Sequence, residues 1–173
     1  SGAVDQLKTE LCELLDGVED EDLKKLLKLF QNDESLMDKF SRAPAGIKNH
    51  HAYNGGLLSH VVSMLRVATF VGDHYKAVSK DLLLTGVFLH DIGKIDELAY
   101  EKELSYTDQG QLIGHIQMGA EILAAKIREL EATGNTFPDE KALRLKHMIL
   151  SHHGEHQFGA VKVPMTLEAI ALH

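Results

Sequence analysis

The chain of 173 residues is 44% hydrophobic and 25% charged, a globular balance that excludes collagen-like, disulfide-scaffold and wholly disordered classes. Asp and Glu number 26 against 18 Lys and Arg, a formal charge of −8 with histidine neutral. That argues against a protein held on nucleic acid by bulk electrostatics, while leaving open a phosphodiester bound locally through metal ions. Cys12 is the only cysteine, so no internal disulfide can form and the natural compartment is reducing, hence cytoplasmic. No apolar run reaches the length of about 18 residues that a membrane span needs. The length fits one domain.

Apolar residues recur at helical spacing nearly throughout. Leu7, Leu11, Leu14 and Leu15 mark a first helix, and Leu23, Leu26, Leu27 and Phe30 a second. The acidic cluster between them, residues 16–22, reads as a solvated turn whose carboxylates favour the next helix start. A third short helix is expected over 33–40, ended by Ser41-Arg42-Ala43-Pro44-Ala45-Gly46. Leu57, Val61, Met64, Val67, Ala68 and Val71 predict one long helix over 54–75, and a further helix is expected over 80–92. Residues 95–109 have no helical period and place Tyr100 and Tyr106 on a small hairpin. Helices are expected again over 111–131 and 139–151, with a last one starting near Thr166. There is no internal repeat and no βαβ alternation. The expected fold class is all-α, one domain over 1–173, with amino-terminal helices at 4–41 leading into a core at 50–173.

There are 11 histidines, and imidazole is the commonest metal-binding side chain. His60 lies three residues after Leu57 and four before Met64, on their inward face. His90 and Asp91 follow the apolar run at 82–89, and His115 opens the helix after the irregular stretch. His152 and His153 end the helix carrying Leu143, Leu145, Ile149 and Leu150. A lone histidine on an apolar face is most often a hydrogen-bonded core residue. Four helices each delivering histidine to an inner face are harder to explain that way. A buried Asp91 among them costs several kcal/mol unless it is paired or coordinated. Two metal ions would satisfy Asp91 and the imidazoles together.

His60, the His90-Asp91 pair inside HDIGK, His115 in GHIQMG and the run SHHGE at Ser151 to Glu155 resemble the HD superfamily of metal-dependent phosphohydrolases. The resemblance is closer still to the HD domain of the YhaM-type 3′→5′ exoribonucleases. It runs through HHAYNGGLLSH, LLLTGVFLHDIGKIDEL, YTDQGQLIGHI and LKHMILSHHGEHQFGAVKVPMTLEAIALH, and so over essentially the whole chain. It implies a helical bundle around two divalent ions bridged by Asp91. His60, His90 and Asp91 would hold one ion, and His115, His152 and His153 the other. Lys94, in the position of the lysine of HDIGK, would contact the substrate phosphate. Asp91 and Lys94 are thus the expected catalytic pair, and the mixed ligand set suits manganese, iron or zinc.

The reaction so implied is hydrolysis of a phosphodiester in RNA or an oligonucleotide by metal-activated water. The alternatives are a nucleotide or cyclic-dinucleotide phosphohydrolase, or a non-catalytic metal-stabilised module that binds a nucleotide. Family members of the YhaM type carry a separate nucleic-acid-binding domain ahead of the HD part. None is present here, and Ser1-Gly2 resembles a cloning scar, so the chain is expected to be a fragment. The HD pattern also finishes with an aspartate on a later helix, whereas the acids after His153 are Glu155 and Glu168 alone. That aspartate is expected beyond His173, with Glu168 as the alternative ligand. His147 is the alternative to one of His152 and His153. His50 and His51 are either substrate-side or structural, and His74, His156 and His173 surface or structural. Cys12 is expected in the core, which disfavours a thiol nucleophile. Gly55-Gly56 reads as the tight entry to the helix of His60. Oligomeric state stays open, with the amino-terminal helices expected to pack on their own core.

Overall fold

The amino-terminal leucines do what their spacing requires. In a computed structural model that describes residues 2–46, 54–99, 105–153, 162 and 164–173, α1 (Gly2–Leu15) buries Leu11 and Leu15 and packs on α4 (Gly56–His74). Helix α2 (Glu21–Gln31) buries Leu23, Leu26, Leu27 and Phe30, and α3 (Glu34–Arg42) buries Leu36 and Phe40. Helix α5 (Lys80–Leu89) is apolar on every side and buried from Leu83 to Leu89. It touches α4, α2, α9 (Asp139–Ser151) and α10 (Leu167–Leu172). Phe88 on α5 meets Phe30 edge-on at 5.9 Å and Phe40 at 5.3 Å, so the amino-terminal helices share one hydrophobic cluster with the rest.

Between α5 and α8 (His115–Ala132) the chain makes short pieces. These are α6 (Lys94–Glu97), β1 (Leu98–Ala99), β2 (Ser105–Tyr106) and α7 (Asp108–Leu112). The two strands pair antiparallel, with Leu98 opposite Tyr106. Tyr100 lies outside the described residues. The helix expected over 111–131 is divided, because Gly114 between α7 and α8 takes a φ of 87° that other residues avoid. Gly55, at φ 85°, makes the expected tight entry to α4. No helix among the described residues is long and apolar enough to cross a membrane.

Three further expectations change. On α4 the buried face is Leu57, Leu58, Val61, Val62, Leu65 and Ala68, while Val67 is exposed. Packing against α1, α3 and α5 together recruits a wider face than the single stripe read from spacing. Cys12 is exposed, since it falls one residue beyond Leu11 and off the α1 stripe. The acidic cluster is also more than a solvated turn. Asp20 caps α2 by accepting from the Leu23 amide at 2.9 Å, and Lys141 reaches Asp20 and Asp22 at 2.7 and 2.6 Å. The Asp81 carboxylate accepts from the backbone amides of Glu19 and Asp20, tying the start of α2 to α5.

Asp33 carries a second such tie. It caps α3 through the Leu36 amide at 3.0 Å and pairs at 2.6 Å with Lys126, whose side chain is only 8% exposed on α8. The Lys126 hydrogen bond, helped by the Leu36 amide, holds the Asp33 carboxyl below its ordinary value. The stability it contributes is therefore present above about pH 4 and lost as pH falls toward the lowered folded value. Asp33→Ala should cost about 1–2 kcal/mol, through the lost cap and the lost ion pair, since Glu129 remains on the Lys126 ammonium at 3.1 Å. Asp33→Asn, which keeps the cap, should cost less. In urea titrations the gap between parent and Asp33→Asn should close below pH 4; a gap that persists there would contradict the pairing.

Candidate metal centre

The centre forms where buried helix ends converge. The apolar run of α5 drives its carboxy-terminal end into the core, so the residues that follow, His90 and Asp91, are 3% and 4% exposed. Ser79 fixes the other end of α5 by capping the Leu82 amide. His60 projects from the second turn of α4, His115 is the first residue of α8, and His152 and His153 directly follow α9. Lys94 begins α6.

All six expected ligands come together in two groups, His60 with His90 and Asp91, and His115 with His152 and His153, the donor atoms of each group lying within 4.8 Å of one another. Asp91 stands between them. Its Oδ2 lies 3.2 Å from His90 Nε2 and 3.9 Å from His60 Nε2. Its Oδ1 lies 3.2 Å from His152 Nε2 and 3.4 Å from His115 Nε2. Lys94 Nζ lies 3.3 Å from Oδ2 and donates to the Ala45 carbonyl at 2.5 Å. It is therefore a held cation rather than a solvated helix-end lysine. The His60 side chain is 32% exposed against 4% for His90 and 7% for His152, so the site opens on the α4 side.

The ring orientations carry the chemistry. His90 Nδ1 meets the Val87 carbonyl at 2.5 Å and His152 Nδ1 meets the Ile149 carbonyl at 2.7 Å. A carbonyl only accepts, so both Nδ1 atoms bear the proton. Unless Nε2 is protonated as well, each ring then aims a bare lone pair at a carboxylate oxygen 3.2 Å away. Asp91 Oδ1 and His152 Nε2 are both buried, and neither completes a hydrogen bond among the described residues. Two lone-pair donors facing each other repel unless a cation stands between them. A backbone carbonyl on the far ring nitrogen is also the usual support of a metal-bound histidine.

Charge supports the same assignment. Burial, and next the neighbouring His152 and His115, push His153 down to about 4, so its lone pair is available at neutral pH. Burial alone would raise Asp91; the imidazoles of His90, His115 and His152 hold it well below its ordinary value only as N–H donors, so where their lone pairs face Asp91 the compensating positive charge has to come from a cation. One carboxylate among imidazoles is the donor set of a borderline divalent transition metal.

The alternative ligands are occupied elsewhere. Glu168 is buried on α10, where it accepts from the Ser79 amide at 3.1 Å and lies 3.9 Å from Arg144. It braces the start of α5, at the end away from His90. His147 Nε2 accepts from the Met165 amide at 2.9 Å. His74 is an exposed residue stacked on Phe70, and His173 follows α10. His50, His51, Glu155 and His156 lie outside the described residues. Sequence reading missed the Val87, Ile149 and Ala45 carbonyls, which are main-chain groups and leave no signature in residue type.

The HD domain family matches residues 57–173, more than half of the chain. The chain belongs to the HD domain family. Among curated relatives, the 3′-5′ exoribonuclease YhaM of Shouchella clausii is 43% identical over 134 residues, 78% of this chain and 40% of that protein. The YhaM protein of Listeria innocua is 39% identical over 173 residues, 98% and 52% of the two chains. That of Bacillus subtilis is 44% identical over 135 residues, 78% and 41%. The chain thus spans about half the length of the curated relatives it matches. No solved structure matches it.

Glu168→Gln and Glu168→Ala test the bracing role. Loss of a charge-assisted bond to the part-buried Ser79 amide should destabilise the alanine variant by about 1–2 kcal/mol and leave metal content at the parent level. Loss of an ion with the stability unchanged would return Glu168 to the ligand set.

Proposed function

We propose that this HD domain is a metal-dependent phosphodiesterase that removes nucleotides from the 3′ end of RNA, working in the cytoplasm. The observation that carries this reading is the placement of His90 and His152, each with Nδ1 on a backbone carbonyl and Nε2 3.2 Å from one oxygen of Asp91. On this reading His60, His90 and Asp91 would hold one divalent ion and His115, His152 and His153 a second, with Asp91 facing both groups. Manganese, iron and zinc suit the donors. When bound, divalent ions at these donors would supply Lewis acidity for phosphoryl transfer to water at neutral pH.

The chain's own residues supply placement and charge. Asp91 presents one oxygen to each triad, so a single buried carboxylate fixes both donor groups relative to each other. The Val87 and Ile149 carbonyls hold the rings of His90 and His152 in one tautomer and one orientation. Lys94 is anchored by Ala45 and Asp91, so its ammonium stands ready against the charge that develops on the phosphoryl oxygens. A net charge of −8 gives RNA no bulk attraction to this chain, so capture of a long strand falls to the part of the relatives that this chain does not span. We take residues 1–173 as one HD unit. RNA is preferred over a small nucleotide because the relatives of about 40% identity are named exoribonucleases.

A panel of single-stranded RNA, mononucleotides and cyclic dinucleotides, assayed with Mn(II), tests this reading. Stepwise shortening of RNA from its 3′ end is expected. Cleavage of the small molecules alone would replace RNA with a nucleotide signal as substrate, and ligand binding with no turnover would refute the enzyme. Lys94→Met should keep its metal and lose about a hundred- to a thousand-fold in rate; an unchanged rate would remove Lys94 from the mechanism.

A further inference from the structure

We propose that Gly93 is a positioning residue that sets the distance between the two donor triads, by letting the turn after Asp91 lie backbone to backbone against the first turn of α8. The inference rests on the metal reading given above. A Cβ on Gly93 would fall inside the van der Waals shell of the His115 carbonyl oxygen, with the Gly119 amide nitrogen at 2.7 Å and the His115 carbonyl carbon at 2.8 Å. All three are main-chain atoms of one helix. No side chain can rotate out of the way, so a methyl group there has to move main chain and widen the spacing between the turn after Asp91 and the start of α8.

The displaced residue is His115 itself. Its backbone is what Gly93 touches, and its Nε2 lies 3.4 Å from the Oδ1 of Asp91, two residues before Gly93. His60 and His90 stand on α4 and at the end of α5, outside this contact. The effect is therefore one-sided. His115 loses its register on Asp91, while His152 and His153, which follow α9, and His60 on α4 keep their places.

Dihedral freedom is not the reason for this glycine, since Gly93 is not among the residues with positive φ; the missing Cβ is. The other tight glycines differ in kind. At Gly86 the obstruction is the flexible end of the Met148 side chain, and at Gly72 it is the Cγ, Cβ and Cα of Lys80, which lies away from the metal site. A Cβ on Gly119, across the same contact, would have Gly93 and Ile149 atoms no nearer than 3.5 Å, which is ordinary packing.

The test loads the whole chain with Mn(II) and compares parent, Gly93→Ala and Gly86→Ala by metal content, binding titration and electron paramagnetic resonance. In Gly93→Ala one equivalent should remain tightly bound and the second should weaken by about 10- to 100-fold. The spectrum of a spin-coupled pair should give way to that of an isolated ion. Gly86→Ala should melt earlier yet keep both ions and the coupled spectrum. A Gly93→Ala protein that melts earlier but keeps both ions at parent affinity and coupling would make Gly93 merely structural and overturn the proposal. Should Gly93→Ala fail to fold, Gly119→Val presses on the same contact from the α8 side. Weakening of the second equivalent supports the proposal there, and two unchanged equivalents overturn it. A parent that binds no ion removes the metal reading itself and this inference with it, whereas a parent with two ions and an unaltered Gly93→Ala removes this inference alone.

Discussion

One buried carboxylate organises this protein. Asp91 is 4% exposed and faces imidazole nitrogens on both of its oxygens, two of them on rings whose other nitrogen is committed to a carbonyl. Lys94 pairs with Oδ2 alone and Oδ1 completes no hydrogen bond among the described residues, so the arrangement stays costly by itself, because a buried charge only partly compensated works against folding. It makes sense as a site completed by cations. The histidines and Lys94 are placed to serve that carboxylate rather than to fill space.

The rest of the fold holds Asp91 in place. Helix α5 is apolar on all sides because it lies in the middle of the bundle, and its burial carries His90 and Asp91 inward at its end. Its start is fixed from two directions, by the Glu168 carboxylate on the Ser79 amide and by the Asp81 carboxylate on the turn before α2. The amino-terminal helices, which lie outside the segment matched to the HD domain family, pack Phe30 and Phe40 on Phe88. They thereby brace the same helix from the far side.

Much of this was legible in residue order. The helices of α2, α4, α5 and α9 follow from apolar spacing, and the inward histidines follow from their place on those helices. The motifs around His60, His90-Asp91, His115 and His152-His153 identified the HD resemblance. What escaped reading depends on partners remote in sequence. Val67 looks like core on the α4 stripe and is exposed, because α1, α3 and α5 choose a wider face. Glu168 looks like a spare ligand and is instead a brace on α5. Gly93 reads as one letter of a motif, and its meaning appears only when α8 is seen to touch it.

The central claim is that Asp91 and the imidazoles around it hold divalent ions, and metal content measures it most directly. Elemental mass spectrometry of the purified chain, reconstituted with Mn(II) and desalted, with Asp91→Ala treated in parallel, is the experiment. The account predicts close to two equivalents in the parent, one for each donor group, and loss of both in the variant. No bound metal in either protein, or the same content in both, would contradict it.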